Sequence, residues 1–158
     1  MRAIIASLLL LAACATPPAA TAETATPAAV PIAACLAQAG ADPGARGDCI
    51  GRGAQWCAEN TEGGETTFGM VQCAMAEREQ WQTIRAQQIA ALRAQETPSQ
   101  TALLEAALEA HERWSQARCA YEASAFEGGT LARVAGAACM NEAMAEDALR
   151  LYARNHDE

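Results

Sequence analysis

Six cysteines after residue 30 constrain this chain more than any other feature of its 158 residues. The most telling pair brackets a double glycine. Cys119 lies nine residues before Gly128, and Cys139 lies ten after Gly129. The stretch from Ala106 to Met140 around them has helical composition and no proline. Two antiparallel helices joined by so short a turn place both sulfurs at similar height on facing surfaces, as the narrow distance limits of a disulfide require. The expected unit is a stapled helical hairpin.

Cys35, Cys49, Cys57, Cys73, Cys119 and Cys139 form an even set, the arithmetic of a disulfide-bonded domain in an oxidising compartment. Cys49 and Cys57 fall on one predicted helix, about 12 Å apart along its axis, and so do not pair with each other. Sequential pairing, Cys35–Cys49, Cys57–Cys73 and Cys119–Cys139, bridges neighbouring helices with short closures and is the favoured arrangement. The crossed alternative, Cys35–Cys57 with Cys49–Cys73, stays open. Zinc is the competing use of cysteine, but there is no CxxC pair and only His111 and His156 could assist. No metal and no cofactor is expected.

The seventh cysteine stands apart. Met1-Arg2 is a short positive start, and Ala3 to Ala13 is an apolar run too short for a permanent bilayer span. Leu11-Ala12-Ala13-Cys14 has the order of a lipobox, small residues before a cysteine that is diacylated. Residues 1–13 therefore read as a lipoprotein signal peptide. Residues 14–31 read as the anchor cysteine and a disordered Ala/Thr/Pro tether, and 32–158 as the folded domain. Ala15 rather than Asp after Cys14 resembles outer-membrane sorting, which implies an envelope lipoprotein facing the periplasm in a Gram-negative host.

Roughly a quarter of the residues are alanine and only 4% are aromatic, which points to an all-α, disulfide-stapled antiparallel bundle of about five helices. A first short helix spans Ile32 to Ala39, ended by Gly40, and Ala41 to Gly47 reads as a turn. Asp48 is a candidate N-cap for a second helix from Cys49 to about Glu59. After the Asn60–Glu65 loop, Thr66 or Thr67 caps a long third helix to about Ala94. Its expected stripe is Val71, Met75, Arg78, Trp81, Arg85, Ile89 and Leu92, widened by Ile84. Thr97-Pro98-Ser99-Gln100 has the capping-box pattern with proline at the first helical position. It opens a fourth helix, Pro98 to Glu127, whose Leu103, Ala107, Ala110, Trp114, Ala117 and Tyr121 alternate at spacings of four and three, the seam of a paired helix. A fifth helix runs from Thr130 to about Arg154 with Val134, Ala137, Met140, Met144, Ala148 and Leu151 as its inner row.

The run CAENTEGGETTFGMVQC (Cys57 to Cys73), Glu77 and Trp81, then CAYE (Cys119 to Glu122), the Gly128-Gly129-Thr130 turn and AACM (Ala137 to Met140) resemble the LprI-type lysozyme inhibitor family. The resemblance covers about Cys49 to Leu151 and implies a small, helical, cysteine-stapled exported protein, in many members a lipoprotein. Members tend to carry Trp-Asp-x-x-Leu-Asn-x-x-Tyr on the third helix. Here Gln82, Arg85, Ala86 and Ile89 replace all but Trp81. An aromatic-Arg-Asp element before the fourth-helix cysteine is replaced by Trp114, Ser115 and Gln116.

Chemistry on this chain is read as binding rather than catalysis. A nucleophile needs a base within reach, and His111 sits on the flank of an apolar stripe while His156 belongs to a tail. With no lysine and a net charge of −8, the chain suits neither nucleic acid nor anionic headgroups, and suits a basic partner. The third helix leaves the Glu-rich loop and the fourth returns, so Glu59, Glu62, Glu65, Glu122 and Glu127 are expected at one end of the bundle. That end is the candidate partner-binding site, and a lysozyme-type hydrolase, basic and with carboxylates in its cleft, is the partner the resemblance implies. A structural or accessory lipoprotein working through the Trp114 and Tyr121 seam is the alternative. An exposed seam would favour it; a buried one would favour the acidic end.

Overall fold

A computed structural model describes residues 30–156; the expected signal peptide, the expected anchor Cys14 and nearly all of the expected tether lie outside the described residues. Those residues are all-helical. The elements are α1 (Ile32–Ala39), α2 (Pro43–Gly47), α3 (Arg52–Asn60), α4 (Thr67–Gln95), α5 (Pro98–Ser124) and α6 (Thr130–His156). Five are helices of eight residues or more, and α2 is a single five-residue turn.

All three sequential disulfides are present, with Cα–Cα separations of 5.9 Å (Cys35–Cys49), 5.5 Å (Cys57–Cys73) and 5.4 Å (Cys119–Cys139). Cys49 and Cys57 do not share a helix, however. The expected helix from Asp48 is broken at Gly51, whose φ of +84° admits glycine readily, and α3 starts only at Arg52. The cap that forms in this region is Asp42, which accepts Gly44 and Ala45 N–H at 2.9 and 3.3 Å and turns the expected loop into α2. Further on, Thr66 caps α4 by accepting Gly69 N–H at 3.0 Å, and Thr97 and Gln100 make the predicted capping box. α5 ends at Ser124 rather than Glu127, because Ala125, Phe126 and Glu127 turn back through bonds to the third residue before each.

α4 and α6 form the central pair, starting at the same end of the bundle and running in the same direction. Their contact buries Trp81, Ile84, Met144, Ala145 and Ala148, and α1 closes over it with Ile32 and Leu36. Ile32, Leu36, Ile84 and Met144 there each contribute about 1.5–3 kcal/mol over leaving them in water. A smaller cluster at the far end joins Ile89, Leu92 and Leu151 to Leu104 and Leu108 of α5. α5 packs chiefly on α6 and leans away from α4, leaving a polar groove of about 460 Å³ lined by Arg78, Arg85, Arg93, Glu105 and Glu112 among others.

Two carboxylates are buried in this small core. Glu77, 1% exposed, accepts Gly51 N–H (2.8 Å), Ala54 N–H (2.7 Å), Trp81 Nε1–H (2.9 Å) and Asn141 Nδ2–H (2.8 Å). It does for α3 what a capping residue does, from a different helix, and Gly53 lies close beneath it, where a Cβ would stand 3.2 Å from Oε2. Asp147, also 1% exposed, pairs with Arg85 at 2.5 Å and with Arg150. Both acids take up the space an aliphatic would otherwise fill.

Candidate partner-binding site

The acidic end is built on two corners. In the first, Cys57–Cys73 ties the last turns of α3 to the second turn of α4, and the 61–66 loop folds onto the start of α4. The fold-back is close: a Cβ on Gly69 would lie 2.0 Å from the carbonyl oxygen of Gly63, so only glycine fits. Thr61 Oγ1 donates to the Cys57 carbonyl at 2.7 Å, and Thr66 Oγ1 to that of Gly63 at 2.7 Å. Glu62 and Glu65 project from this fastened loop and Glu59 from the last turn of α3 before it, all exposed.

The second corner is the 125–129 turn between α5 and α6. Gly128 has φ +77°, and Glu127 has φ +50°, a left-handed conformation uncommon for a residue with a side chain. The two corners share an end of the molecule, as expected: Thr67, Phe68, Val71 and Gln72 line one groove with Thr130 and Arg133.

The five glutamates are not equivalent. Glu122 is held by Arg118 at 2.8 Å, and the same guanidinium reaches Glu142 at 2.9 Å and Glu146 at 3.2 Å. The hydrogen bond to Glu122, helped by the charges of Glu122, Glu142 and Glu146, raises the Arg118 pKa above its ordinary value against a desolvation effect larger than any one of those charges. Negative charge thus runs from the end of the bundle down the α5–α6 face, three carboxylates around one cation. Trp114 stands beside it, its ring 5.3 Å from the Arg118 guanidinium carbon. The spacing Arg118–Glu122 and the facing row Glu142, Glu146 carried this signal, but only once α5 and α6 are known to face each other through Cys119–Cys139.

The expected seam of α5 is turned outward. Leu103 is 71% exposed, Trp114 53% and Tyr121 79%, and Ala107, Ala110 and Ala117 are exposed with them. The row that packs on α6 is Leu104, Leu108, His111, Ser115 and Cys119, of which His111 was expected at the flank of the apolar stripe. His111 Nε2 lies 3.2 Å from Ser115 Oγ and 3.4 Å from the Ala143 carbonyl oxygen. Ser115 is 3% exposed, and the void beside the pair holds about 10 Å³, room for roughly one water. A serine nucleophile needs space for its substrate, so the pair is packing, as expected for His111.

The family model for the lysozyme inhibitor LprI matches residues 57–151, more than half of the chain. The chain belongs to the LprI family. No curated protein and no solved structure matches it. The match begins at the first cysteine of the Glu62–Glu65 corner and ends at Leu151 in the second cluster, so it contains both corners, Glu77, Asp147 and the outward seam of α5. Three disulfides place an LprI-family chain outside the reducing cytosol. Among the described residues no helix is long and apolar enough to cross a membrane.

Proposed function

We propose that this LprI-family protein is an envelope lipoprotein, anchored through Cys14, that binds and can inhibit a basic cell-wall hydrolase of the lysozyme type through its acidic end. The observation that carries the reading is the fastening of the Glu59, Glu62 and Glu65 corner. A disulfide and a glycine-on-glycine contact hold exposed carboxylates on a loop that would otherwise be free to move. A rigid anionic surface steers a cationic partner into register and loses little entropy when it docks. The anionic face continues through Glu122 to Glu142 and Glu146, beside exposed Trp114, and aromatic side chains are the usual anchors of such interfaces. Lysis of cell-wall suspensions by a basic lysozyme, with and without the purified chain, tests the proposal. A dose-dependent slowing supports it, and unchanged lysis at a large excess of the chain refutes inhibition.

One observation favours a second reading. The outward seam of Leu103, Trp114 and Tyr121 is the feature expected of an accessory lipoprotein that works by pairing with another helix in the envelope. The two readings share Trp114 but otherwise use different surfaces, the end of the bundle and the side of α5, so variants at Glu59, Glu62 and Glu65 test the first and variants at Leu103 and Tyr121 the second.

A further inference from the structure

The outer face of α5 is a heptad seam that no other helix covers among the described residues. Leu103, Ala107, Ala110, Trp114, Ala117 and Tyr121 follow the alternating four and three spacing of a and d positions over about 27 Å of helix. None is charged, all are exposed, and the neighbouring row of the same helix is already used against α6. We propose that this seam pairs with the same seam of a second copy, antiparallel, making a two-fold dimer through α5.

Self-pairing follows from the order of sizes. With the two-fold axis between Ala110 and Trp114, Trp114 of each copy faces Ala110 of the other, Ala107 faces Ala117, and Leu103 faces Tyr121. Two indole rings thus fill the middle over alanine holes, and aliphatic–aromatic pairs close the two ends. An isologous contact needs such self-complementarity. A parallel arrangement would instead stack Trp114 on Trp114 and Tyr121 on Tyr121, and bring Arg113 of one copy toward Arg118 of the other.

Charge selects the same arrangement. Glu109 and Arg113, ion-paired within one chain, lie along one margin of the seam. The two-fold axis sets each Arg113 about two residues' rise from both Glu109 and Arg113 of the other copy, a margin neutral in sum, so charge favours the arrangement at the ends of the bundle. Antiparallel pairing also sends the two acidic ends, with Glu122 and Glu127, to opposite poles. Each arrives beside the far end of the other copy, where Arg93, Arg150 and Arg154 balance Glu105, Asp147 and Glu96. Parallel pairing would set two acidic ends side by side in a chain of net charge −8. The dimer takes up Trp114 and leaves the Glu59, Glu62 and Glu65 corner uncovered, so neutralising those glutamates tests the inhibitor reading without touching the dimer contact.

The test uses the full chain in mild detergent, with the mass measured by sedimentation equilibrium and the geometry by disulfide trapping. A107C and A117C are made as separate proteins. The expected result is a concentration-dependent dimer, cross-linked when A107C is mixed with A117C and not by either variant alone. W114E, which leaves the exposed position 114 able to fold, should weaken the dimer at least tenfold with an unchanged helical circular dichroism spectrum. A chain that stays monomeric up to about 1 mM overturns the proposal. So does self-cross-linking of A107C alone, which would mean parallel pairing, or a dimer indifferent to W114E. Occupation of the seam by a helix of another protein, with this chain monomeric, overturns it as well.

Discussion

Glu77 Oε2 accepts the backbone N–H of Ala54 at 2.7 Å, so a side chain of α4 closes the first turn of α3 from inside the core. Its other oxygen takes Gly51, Trp81 and Asn141 at the same time. A buried carboxylate with four donors fixes the angle between α3 and α4, and hence where the 61–66 loop begins.

Glu77→Gln should therefore lower stability by about 2–4 kcal/mol, since an amide presents one acceptor and turns two N–H groups toward donors already there. Urea denaturation followed by circular dichroism measures it. A loss below about 1 kcal/mol would mean that the site relaxes around the amide.

Asp147 is the second test of the polar core. Asp147→Asn should cost about 2–3 kcal/mol, because Arg85, with its side chain 20% exposed, loses its partner while still partly desolvated. The double change Arg85→Met with Asp147→Leu should be less destabilising than Asp147→Asn alone. Thermal unfolding of the three proteins compares them directly.

The Cys119–Cys139 bridge should matter most to α5, which packs on α6 alone for most of its length. Replacing both cysteines with serine is expected to cost about 2–5 kcal/mol. Hydrogen exchange should show amide protection falling throughout α5 while the α4–α6 pair keeps its own.

Much of this was legible in the residues. The disulfide frame, the Thr97–Gln100 box and the turn at Gly128-Gly129 depend on local chemistry, and they stand where spacing put them. What misled was the choice of rows on alanine-rich helices. The Leu103–Tyr121 row is more apolar than the Leu104–Cys119 row, and so reads as the core face although it points to water. Cys119 held the correction: it must face Cys139, and counting back from it by fours and threes gives Ser115, His111, Leu108 and Leu104. The same holds on α4, where Met75 of the expected stripe is 48% exposed and the buried row runs through Cys73, Ala74 and Glu77. Nothing local marks Glu77 or Asp147 as buried, because Gly51, Ala54 and Asn141 reach Glu77, and Arg85 reaches Asp147, from other helices.

Gly69→Ala probes the first acidic corner without touching a charge. With a Cβ 2.0 Å from the Gly63 carbonyl oxygen, the 61–66 loop must lift away from α4. The expected cost is about 1–3 kcal/mol, and the loop should become susceptible to proteolysis. Binding to a lysozyme-type partner should weaken too, since Glu62 and Glu65 lose their fixed positions.

The most direct measurement is the association rate of the purified chain with a basic lysozyme, taken across ionic strength for the unmodified protein and for Glu59→Gln, Glu62→Gln and Glu65→Gln combined. Docking through the acidic end predicts that added salt slows the unmodified protein and that the triple variant starts slower by about tenfold and is less salt-sensitive. Equal rates for both proteins, with no dependence on salt, would contradict it.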